Sequence, residues 1–255
     1  MCFDHDSRPP IAPIAGGSLD AREIVLEGTD GNRFSAYLAR AAEPSGAGMV
    51  VLPDVRGLHA YYRDLALRLA EHGVDAIGID YFGRTAGIGD RGPSFDWAQH
   101  VPQTTYEGLR ADVTASVVHL RTTTGASRIF TMGFCMGGRL AFLTDGFELA
   151  LTGVIGFYGW PVGLSRNGTP APAEVAGTFE APVLAIFGGA DEGIGADAVA
   201  AFEHALAEAG VEHRVVTYPG APHSFFDRKH EEFAEASAAA WDEVLAFIGA
   251  SAGTA

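Results

Sequence analysis

A cysteine flanked by glycines is the feature of this sequence best suited to chemistry. Gly133, Cys135 and Gly137 form the pattern G-x-C-x-G between an apolar run and an amphipathic stretch. Such a pattern is typical of a sharp turn that exposes a nucleophile between a strand and a helix. A sulfur at the start of a helix is favoured as a thiolate, because the helix dipole and free N–H groups stabilise negative charge there. The pattern predicts that Cys135 is a nucleophile and that the Met136 N–H donates to an oxyanion.

Two further residues complete a possible catalytic triad with Cys135. After a turn of this kind, an acid and then a histidine are expected, each just beyond a later strand. Asp191 follows the apolar run 183–187, and His223 follows the β-rich run 213–218. Four histidines follow Asp191, but only His223 lies at the carboxyl end of a predicted strand. We predict a triad of Cys135, Asp191 and His223; an inert, buried cysteine beside a glycine-rich turn is the alternative.

Short apolar runs alternate with longer amphipathic stretches along most of the chain. This alternation is typical of parallel strands joined by helices. Two β-rich segments, 22–27 and 33–39, precede it and are separated by a turn with an Asp-Gly pair, which predicts an antiparallel hairpin. We therefore predict an α/β fold with about eight strands in a mostly parallel sheet, helices on both faces and an antiparallel N-terminal hairpin. The predicted triad falls at the carboxyl ends of strands, where open parallel sheets bind ligands.

The composition limits the classes of partner. The chain has 255 residues, of which 47% are hydrophobic, and this is sufficient for a packed core. A formal net charge of −15 argues against nucleic acid or an anionic membrane and favours a small molecule. The first residues do not resemble a signal peptide, and two cysteines cannot form a disulfide framework, so we predict a cytoplasmic protein. We expect an N-terminal arm over residues 1–20, one domain over residues 21–255, and a monomer or small homo-oligomer.

Five ordered segments resemble the dienelactone hydrolase family, the cysteine branch of the α/β-hydrolases. They read VVLPDVRG (50–57), VDAIGIDYFGR (74–84), GFCMGG (133–138), GGAD (188–191) and HSF (223–225). The resemblance implies hydrolysis of an enol-lactone or related ester carrying a carboxylate, by thiolate attack and an acyl-thioester intermediate. It implies no metal and no organic cofactor.

The resemblance also implies roles for individual residues. Cys135 would be the nucleophile, His223 the base and Asp191 the group that orients His223. The N–H groups of Val55 and Met136 would form the oxyanion hole.

A carboxylate-binding role is implied for Arg84. This residue matches the family arginine that holds the substrate carboxylate, a task that suits a guanidinium because it can donate two parallel hydrogen bonds. A surface salt bridge between Arg84 and a neighbour such as Asp80 or Asp90 is the alternative.

Two positions depart from the best-known members of the family. Asp54 stands where those members carry a glutamate that contacts the resting cysteine. Asp227 stands where they carry a second carboxylate-binding arginine, and Arg228 is displaced from that position by one residue. These departures leave two alternatives open: a carboxylesterase for neutral esters, and a non-catalytic ligand-binding or thiol-sensing relative.

Aromatic residues in predicted loops could line a substrate pocket. We expect Trp97, Trp160 and Phe225 to contact substrate, although core packing would explain such residues equally well. The long, glycine-rich segment 85–103 is expected to form a cap or entrance loop. The metal-capable side chains of Cys2, Asp4, His5 and Asp6 have no fixed ligand spacing, so we interpret them as a solvated tail and predict no metal site.

Overall fold

The computed structural model describes residues 3–227 and 231–250. In this part of the chain, eight strands form one sheet: β1 (Ser18–Glu27), β2 (Arg33–Ala41), β3 (Ala47–Leu52), β4 (Val74–Ile79), β5 (Arg128–Phe134), β6 (Gly153–Phe157), β7 (Val183–Gly188) and β8 (His213–Tyr218). Their order is β1-β2-β4-β3-β5-β6-β7-β8. Strands β1 and β2, and β2 and β4, pair antiparallel, whereas all the other pairs are parallel. The predicted sheet with its antiparallel N-terminal hairpin is confirmed.

Helices surround the sheet. They are α1 (Ala60–Glu71), α2 (Gly83–Ala86), α3 (Trp97–His100), α4 (Tyr106–His119), α5 (Met136–Thr144), α6 (Pro172–Val175), α7 (Ala196–Glu208) and α8 (Ala234–Ala250). Short 3₁₀ turns occupy Val101–Gln103, Asp145–Phe147, Ala176–Thr178 and Glu231–Phe233. Helix α4 is followed directly by a π-helical turn over Leu120–Thr124, which leads to Gly125 at φ 78°. No helix among the described residues is both long and apolar enough to cross a bilayer.

The central strands are buried on both faces. Every residue of β3, β4 and β7 is buried, which explains why these strands appear in the sequence as short runs without polar alternation. Asp75 in β4 is the exception in chemical type, and its carboxylate accepts a hydrogen bond of 2.9 Å from the Ala41 N–H. Strand β8 lies at the edge of the sheet and is only half-buried.

The N-terminal segment leads directly into the sheet. Strand β1 begins at Ser18, so the last residues of the predicted arm already belong to the sheet. The residues before it lie on the domain, where Phe3 and Ile11 are buried. The Ile14 N–H donates to the Glu71 carboxylate over 2.9 Å, which ties this segment to the end of α1.

Candidate active site

Cys135 lies in a sharp turn between β5 and α5. Its backbone has φ 56° and ψ −117°, a left-handed conformation that residues with side chains rarely adopt. Glycines make the turn possible. A Cβ atom on Gly133 would lie 1.9 Å from the Gly137 oxygen, and one on Gly137 would lie 2.2 Å from the Leu52 oxygen. The Cys135 N–H donates to the Phe157 oxygen over 3.0 Å, so the turn is also anchored to β6.

Asp191 and His223 form a hydrogen-bonded pair beyond β7 and β8. His223 Nδ1 lies 2.6 Å from Asp191 Oδ2. The other oxygen, Oδ1, accepts hydrogen bonds from the N–H groups of Gly193 (2.9 Å) and Ile194 (3.1 Å). Burial alone would raise the pKa of Asp191, but the hydrogen bonds from His223 and the two amides outweigh it and hold the pKa below its usual value. Asp191 is therefore ionised at neutral pH and accepts the hydrogen bond from Nδ1.

The hydrogen bond with Asp191 leaves the second ring nitrogen of His223 able to accept a proton. An ionised carboxylate only accepts hydrogen bonds, so Nδ1 is the donor and Nε2 of the neutral ring has a free lone pair. Nε2 is buried and has no hydrogen-bond partner within residues 3–227 and 231–250. The ring centroids of Tyr158 and Trp160 both lie 5.0 Å from that of His223, and these contacts fix the plane of the imidazole.

A cavity of about 850 Å³ brings most of the predicted site residues together. The predicted residues that line it are Cys135, Asp191, His223, Val55, Met136, Trp97 and Trp160. Met136 is the first residue of α5, where N–H groups have no acceptor within the helix. Val55 lies in the loop after β3. The segment 85–103 contributes Trp97 and Val101 to the wall, so part of the predicted entrance loop does face the cavity.

The structure does not place Arg84 at this cavity. Its guanidinium lies 2.7 Å from Asp30 Oδ2 and 2.5 Å from Asp112 Oδ2, and the side chain is absent from the cavity lining. Helix α2 directs it toward the β1–β2 turn and α4, where those two carboxylates lie. The alternative partners expected from the sequence are also engaged elsewhere, since Asp80 pairs with Arg91 and Asp90 with Arg63.

Asp54 is not a lining residue either. Its carboxylate is 1% exposed and accepts hydrogen bonds from the Arg56 backbone N–H (2.8 Å) and from Arg56 Nη2 (3.0 Å). Burial would raise the pKa of Asp54, but His59 and Arg56 outweigh that effect and lower it. The charge of Asp54 is therefore neutralised by Arg56. The hydrogen bonds between these two residues stabilise the loop that carries Val55.

Phe225 is a core residue and not a wall of the cavity. Its side chain is fully buried, and the ring centroid lies 5.8 Å from Tyr158 and 5.4 Å from Tyr218. The apolar ring packs under the loop that presents His223. The structure therefore agrees with the core-packing alternative for Phe225 and not with the predicted contact with substrate.

Several residues of the cavity were missed from the sequence. Phe3, Asp4, Arg139 and Asp227 all line it. Asp4 belongs to the metal-capable cluster and Asp227 stands at the position of the second family arginine, whereas no motif marks Phe3 or Arg139 as a ligand-site residue. Only the isolated aromatic character of Phe3 in a polar segment could have signalled burial. Arg228 and Cys2, which were considered as an anion-binding residue and as part of a metal-capable cluster, lie outside the described residues.

Arg139 organises one wall of the cavity. This residue lies four positions after Cys135 on α5 and is 4% exposed. Its guanidinium donates to the carbonyl oxygens of Trp160 (3.0 Å), Val162 (3.3 Å), Gly163 (2.9 Å), Thr169 (3.1 Å) and Pro170 (2.9 Å). Residues 160–170 form a loop without regular structure after β6, hereafter loop 160–170, and five of its side chains line the cavity.

The model of the dienelactone hydrolase family matches residues 34–252. The chain belongs to the dienelactone hydrolase family. A candidate carboxymethylenebutenolidase of Salmonella typhimurium is 32% identical over 254 residues, which cover 92% of this chain and 91% of that protein. A candidate 2-oxo-3-(5-oxofuran-2-ylidene)propanoate lactonase of Bradyrhizobium sp is 29% identical, over 89% of this chain and 94% of that protein.

The fold agrees with that membership. A crystal structure of a candidate dienelactone hydrolase from Klebsiella pneumoniae superposes with a TM-score of 0.74 at 28% identity, over 91% of this chain and 99% of the other. The dienelactone hydrolase family lies within the α/β-hydrolase superfamily, and the resemblance noted in the sequence is confirmed. The protein is a hydrolase of this family.

Proposed function

We propose that the protein hydrolyses lactones or carboxylic esters through nucleophilic attack by Cys135. The observation that carries the proposal is the hydrogen-bonded pair of Asp191 and His223 on the same cavity as a cysteine held at positive φ. Each of the three residues follows the carboxyl end of a different parallel strand. A thiolate at the start of α5 is stabilised by the helix dipole and by unpaired N–H groups.

In the first half of the reaction, His223 Nε2 accepts the proton of the Cys135 thiol, and the thiolate adds to the carbonyl carbon of the substrate. The N–H groups of Met136 and Val55 stabilise the negative charge on the carbonyl oxygen. When the tetrahedral intermediate collapses, the C–O bond breaks, and the leaving alkoxide takes a proton from His223. In a lactone, cleavage of this C–O bond opens the ring, so the alcohol stays attached to the acyl group.

In the second half, water hydrolyses the thioester. His223 Nε2 accepts a proton from water while the oxygen attacks the thioester carbonyl, and Asp191 stabilises the imidazolium that forms. The C–S bond then breaks, the carboxylic acid leaves, and the Cys135 thiolate is restored. The candidate lactonase of Bradyrhizobium sp, which is 29% identical, supports this class of substrate.

The direct test of the proposed nucleophile is its replacement. Cys135→Ala is expected to abolish hydrolysis of p-nitrophenyl acetate while thermal unfolding and circular dichroism remain those of the wild type. Cys135→Ser should retain only weak activity, because a hydroxyl at this position is a poorer nucleophile without a strong base. Unchanged turnover by Cys135→Ala would remove Cys135 from the reaction.

Hydrolysis of neutral esters is a second candidate function, because the charges that line the cavity would repel a substrate that carries a carboxylate. The carboxylates that line it belong to Asp4, Asp191, Glu192 and Asp227, against the guanidinium groups of Arg139 and Arg166. Arg139 is occupied by backbone carbonyls, and Arg84 lies elsewhere. Arg166 is the exposed cation of loop 160–170 and forms no salt bridge within the part of the chain that the structure describes.

A matched pair of esters separates the two substrates. The p-nitrophenyl esters of butyrate and of succinate have acyl chains of equal length and differ by one terminal carboxylate. A higher kcat/KM for the butyrate supports the neutral substrate. A preference for the succinate that disappears in Arg166→Ala supports the carboxylate-bearing substrate and identifies its partner.

A further inference from the structure

The segment 3–11 is fixed against the cavity although it precedes the sheet. Ser7 Oγ donates to Asp227 Oδ2 over 2.5 Å, and both residues are 2% exposed. Ile11 is 8% exposed and anchors the far end of the segment in the core. Because Asp227 lies four residues after His223, this bond joins the segment to the loop that presents the proposed base.

Phe3 is the buried aromatic side chain of this segment. It is 3% exposed, and its ring stacks on Tyr61 with centroids 4.0 Å apart and an interplanar angle of 20°. The ring meets Phe134 and Tyr158 edge-on, at centroid distances of 6.2 and 6.4 Å. Four aromatic rings thus form one rigid cluster, in geometries that aromatic pairs prefer.

This cluster is continuous with the proposed reaction centre. Phe134 directly precedes Cys135 in the chain, and the Tyr158 ring lies 5.0 Å from the His223 ring. Phe3 lines the same cavity as Cys135 and His223. A residue far from the motifs in sequence therefore shapes the space in front of them.

We propose that Phe3 is a specificity-determining residue, whose ring limits the size of the substrate group that can approach Cys135. The ring cannot move aside easily, because it is stacked on Tyr61 and enclosed by close-packed aromatic neighbours. Its removal would leave space that those neighbours fill only in part. As a statement about substrates, the inference rests on the proposed function; as a statement about access to Cys135, it does not.

Alkylation of the thiol tests access without any ester. Iodoacetamide is small and N-phenylmaleimide is bulky, and their rates of reaction with Cys135 are measured by mass spectrometry of its peptide, which separates it from Cys2. In Phe3→Ala, the rate with N-phenylmaleimide relative to iodoacetamide is expected to rise on the order of tenfold, the usual scale of size selection in an apolar pocket. Phe3→Leu should give a smaller rise, because a branched side chain still occupies part of the space.

Phe179→Ala is the matched control. Phe179 is also a buried phenylalanine, at 7% exposure, but it does not line the cavity, so its loss should leave the ratio of the two rates unchanged. If the ratio of the N-phenylmaleimide rate to the iodoacetamide rate is the same in the wild type and in Phe3→Ala, the proposal is overturned. It is also overturned if N-phenylmaleimide reacts with Cys135 in neither protein. An equal rise in Phe179→Ala would also overturn it, because general loosening would then be the cause.

Ester hydrolysis supplies the second readout. Phe3→Ala is expected to raise kcat/KM for p-nitrophenyl benzoate relative to p-nitrophenyl acetate. If the alkylation ratio changes while neither ester is hydrolysed by the wild type, Phe3 controls access and the proposed function fails. If esters are hydrolysed but neither ratio changes, the proposed function stands and the role of Phe3 is overturned.

Discussion

Cys135 occupies a backbone conformation that costs about 1–3 kcal/mol for a residue with a side chain. The surrounding strand and helix hold it there, and they can approach each other so closely because Gly133 and Gly137 carry no Cβ atom. Its position at the start of α5 directs free N–H groups toward the proposed oxyanion. Strain at this residue is therefore linked to the placement of the proposed nucleophile.

Asp191→Asn tests the tautomer and orientation of His223. An amide at this position can donate to Nδ1, which would place the ring proton on Nε2 and remove the base. We expect kcat for p-nitrophenyl acetate to fall by up to about 10⁴-fold, the loss that the same substitution causes in a related triad. Alkylation of Cys135 by iodoacetamide reports whether the cavity is intact, and an unchanged kcat would show that His223 does not depend on Asp191.

The residues that could be predicted from the sequence are those fixed by local structure. Cys135, Asp191 and His223 each follow a strand that is apparent from its apolar or β-rich run, so their meeting at one edge of the sheet follows from the fold. Arg84 and Phe225 also follow strands, but their side-chain directions depend on partners distant in the chain. For Arg84 these partners are Asp30 and Asp112, which no local pattern connects to it.

At the scale of the elements, the sheet positions the proposed centre and loop 160–170 encloses it. Strands could be predicted because a parallel sheet buried on both faces requires continuous apolar runs. Loop 160–170 could not, because its shape comes from five carbonyl groups that converge on one guanidinium from α5. The position of Phe3 at the cavity could not be predicted for a similar reason, since an aromatic cluster from distant parts of the chain holds its ring.

Arg139→Met tests the contribution of loop 160–170. The substitution keeps a long side chain but removes the Arg139 hydrogen bonds to five backbone carbonyls, of which that of Thr169 retains a hydrogen bond from Ser165 Oγ (3.1 Å). We expect the free energy of unfolding to fall by about 3 kcal/mol. Arg139 does not touch the reacting atoms, so kcat/KM should fall on the order of tenfold, mainly through a higher KM.

The matched control for this prediction is Arg121→Met. Arg121 also donates to backbone carbonyls, those of Leu149 (2.9 Å) and Ala150 (3.0 Å), but it is exposed and lies away from the cavity. Its replacement should leave KM unchanged. If Arg139→Met alters kcat alone, or if both variants raise KM alike, then Arg139 does not position the wall.

At the scale of the whole molecule, acidity affects stability as well as recognition. The chain carries a formal net charge of −15, and some of its acids are buried without full compensation. Burial raises the pKa of Asp145 to about 6, although the N–H groups of Glu180 and Ala181 donate to it and lower the value in part. Burial likewise raises the pKa of Asp112 to about 6, despite its ion pair with Arg84.

Asp145→Asn is expected to stabilise the protein at high pH. The native state holds the proton of Asp145 up to about pH 6, whereas the unfolded chain releases it near 3.8. The group therefore contributes its full stability below pH 3.8, and this contribution is lost as pH rises through about 6. Asn keeps the acceptor oxygen without the charge. The free energy of unfolding of the variant should therefore exceed that of the wild type by about 1–3 kcal/mol at pH 8 and by little at pH 4.

Urea unfolding at both pH values measures this difference. Asp242→Asn, at an exposed carboxylate of α8, is the charge-matched control and should show the same difference from the wild type at the two pH values. A stabilisation by Asp145→Asn that is equal at pH 4 and pH 8, or is absent at pH 8, would contradict the assignment of a raised pKa to Asp145.

The central claim is that substrate acylates Cys135, and its most direct measurement is the site of acylation itself. A p-nitrophenyl carbamate transfers a carbamoyl group that water removes slowly, so the covalent intermediate accumulates. Peptide mass spectrometry after inactivation is predicted to find one carbamoyl group per chain, on Cys135, released together with one equivalent of p-nitrophenol. Inactivation with the carbamoyl group on another residue, while Cys135 remains unmodified, would contradict the account.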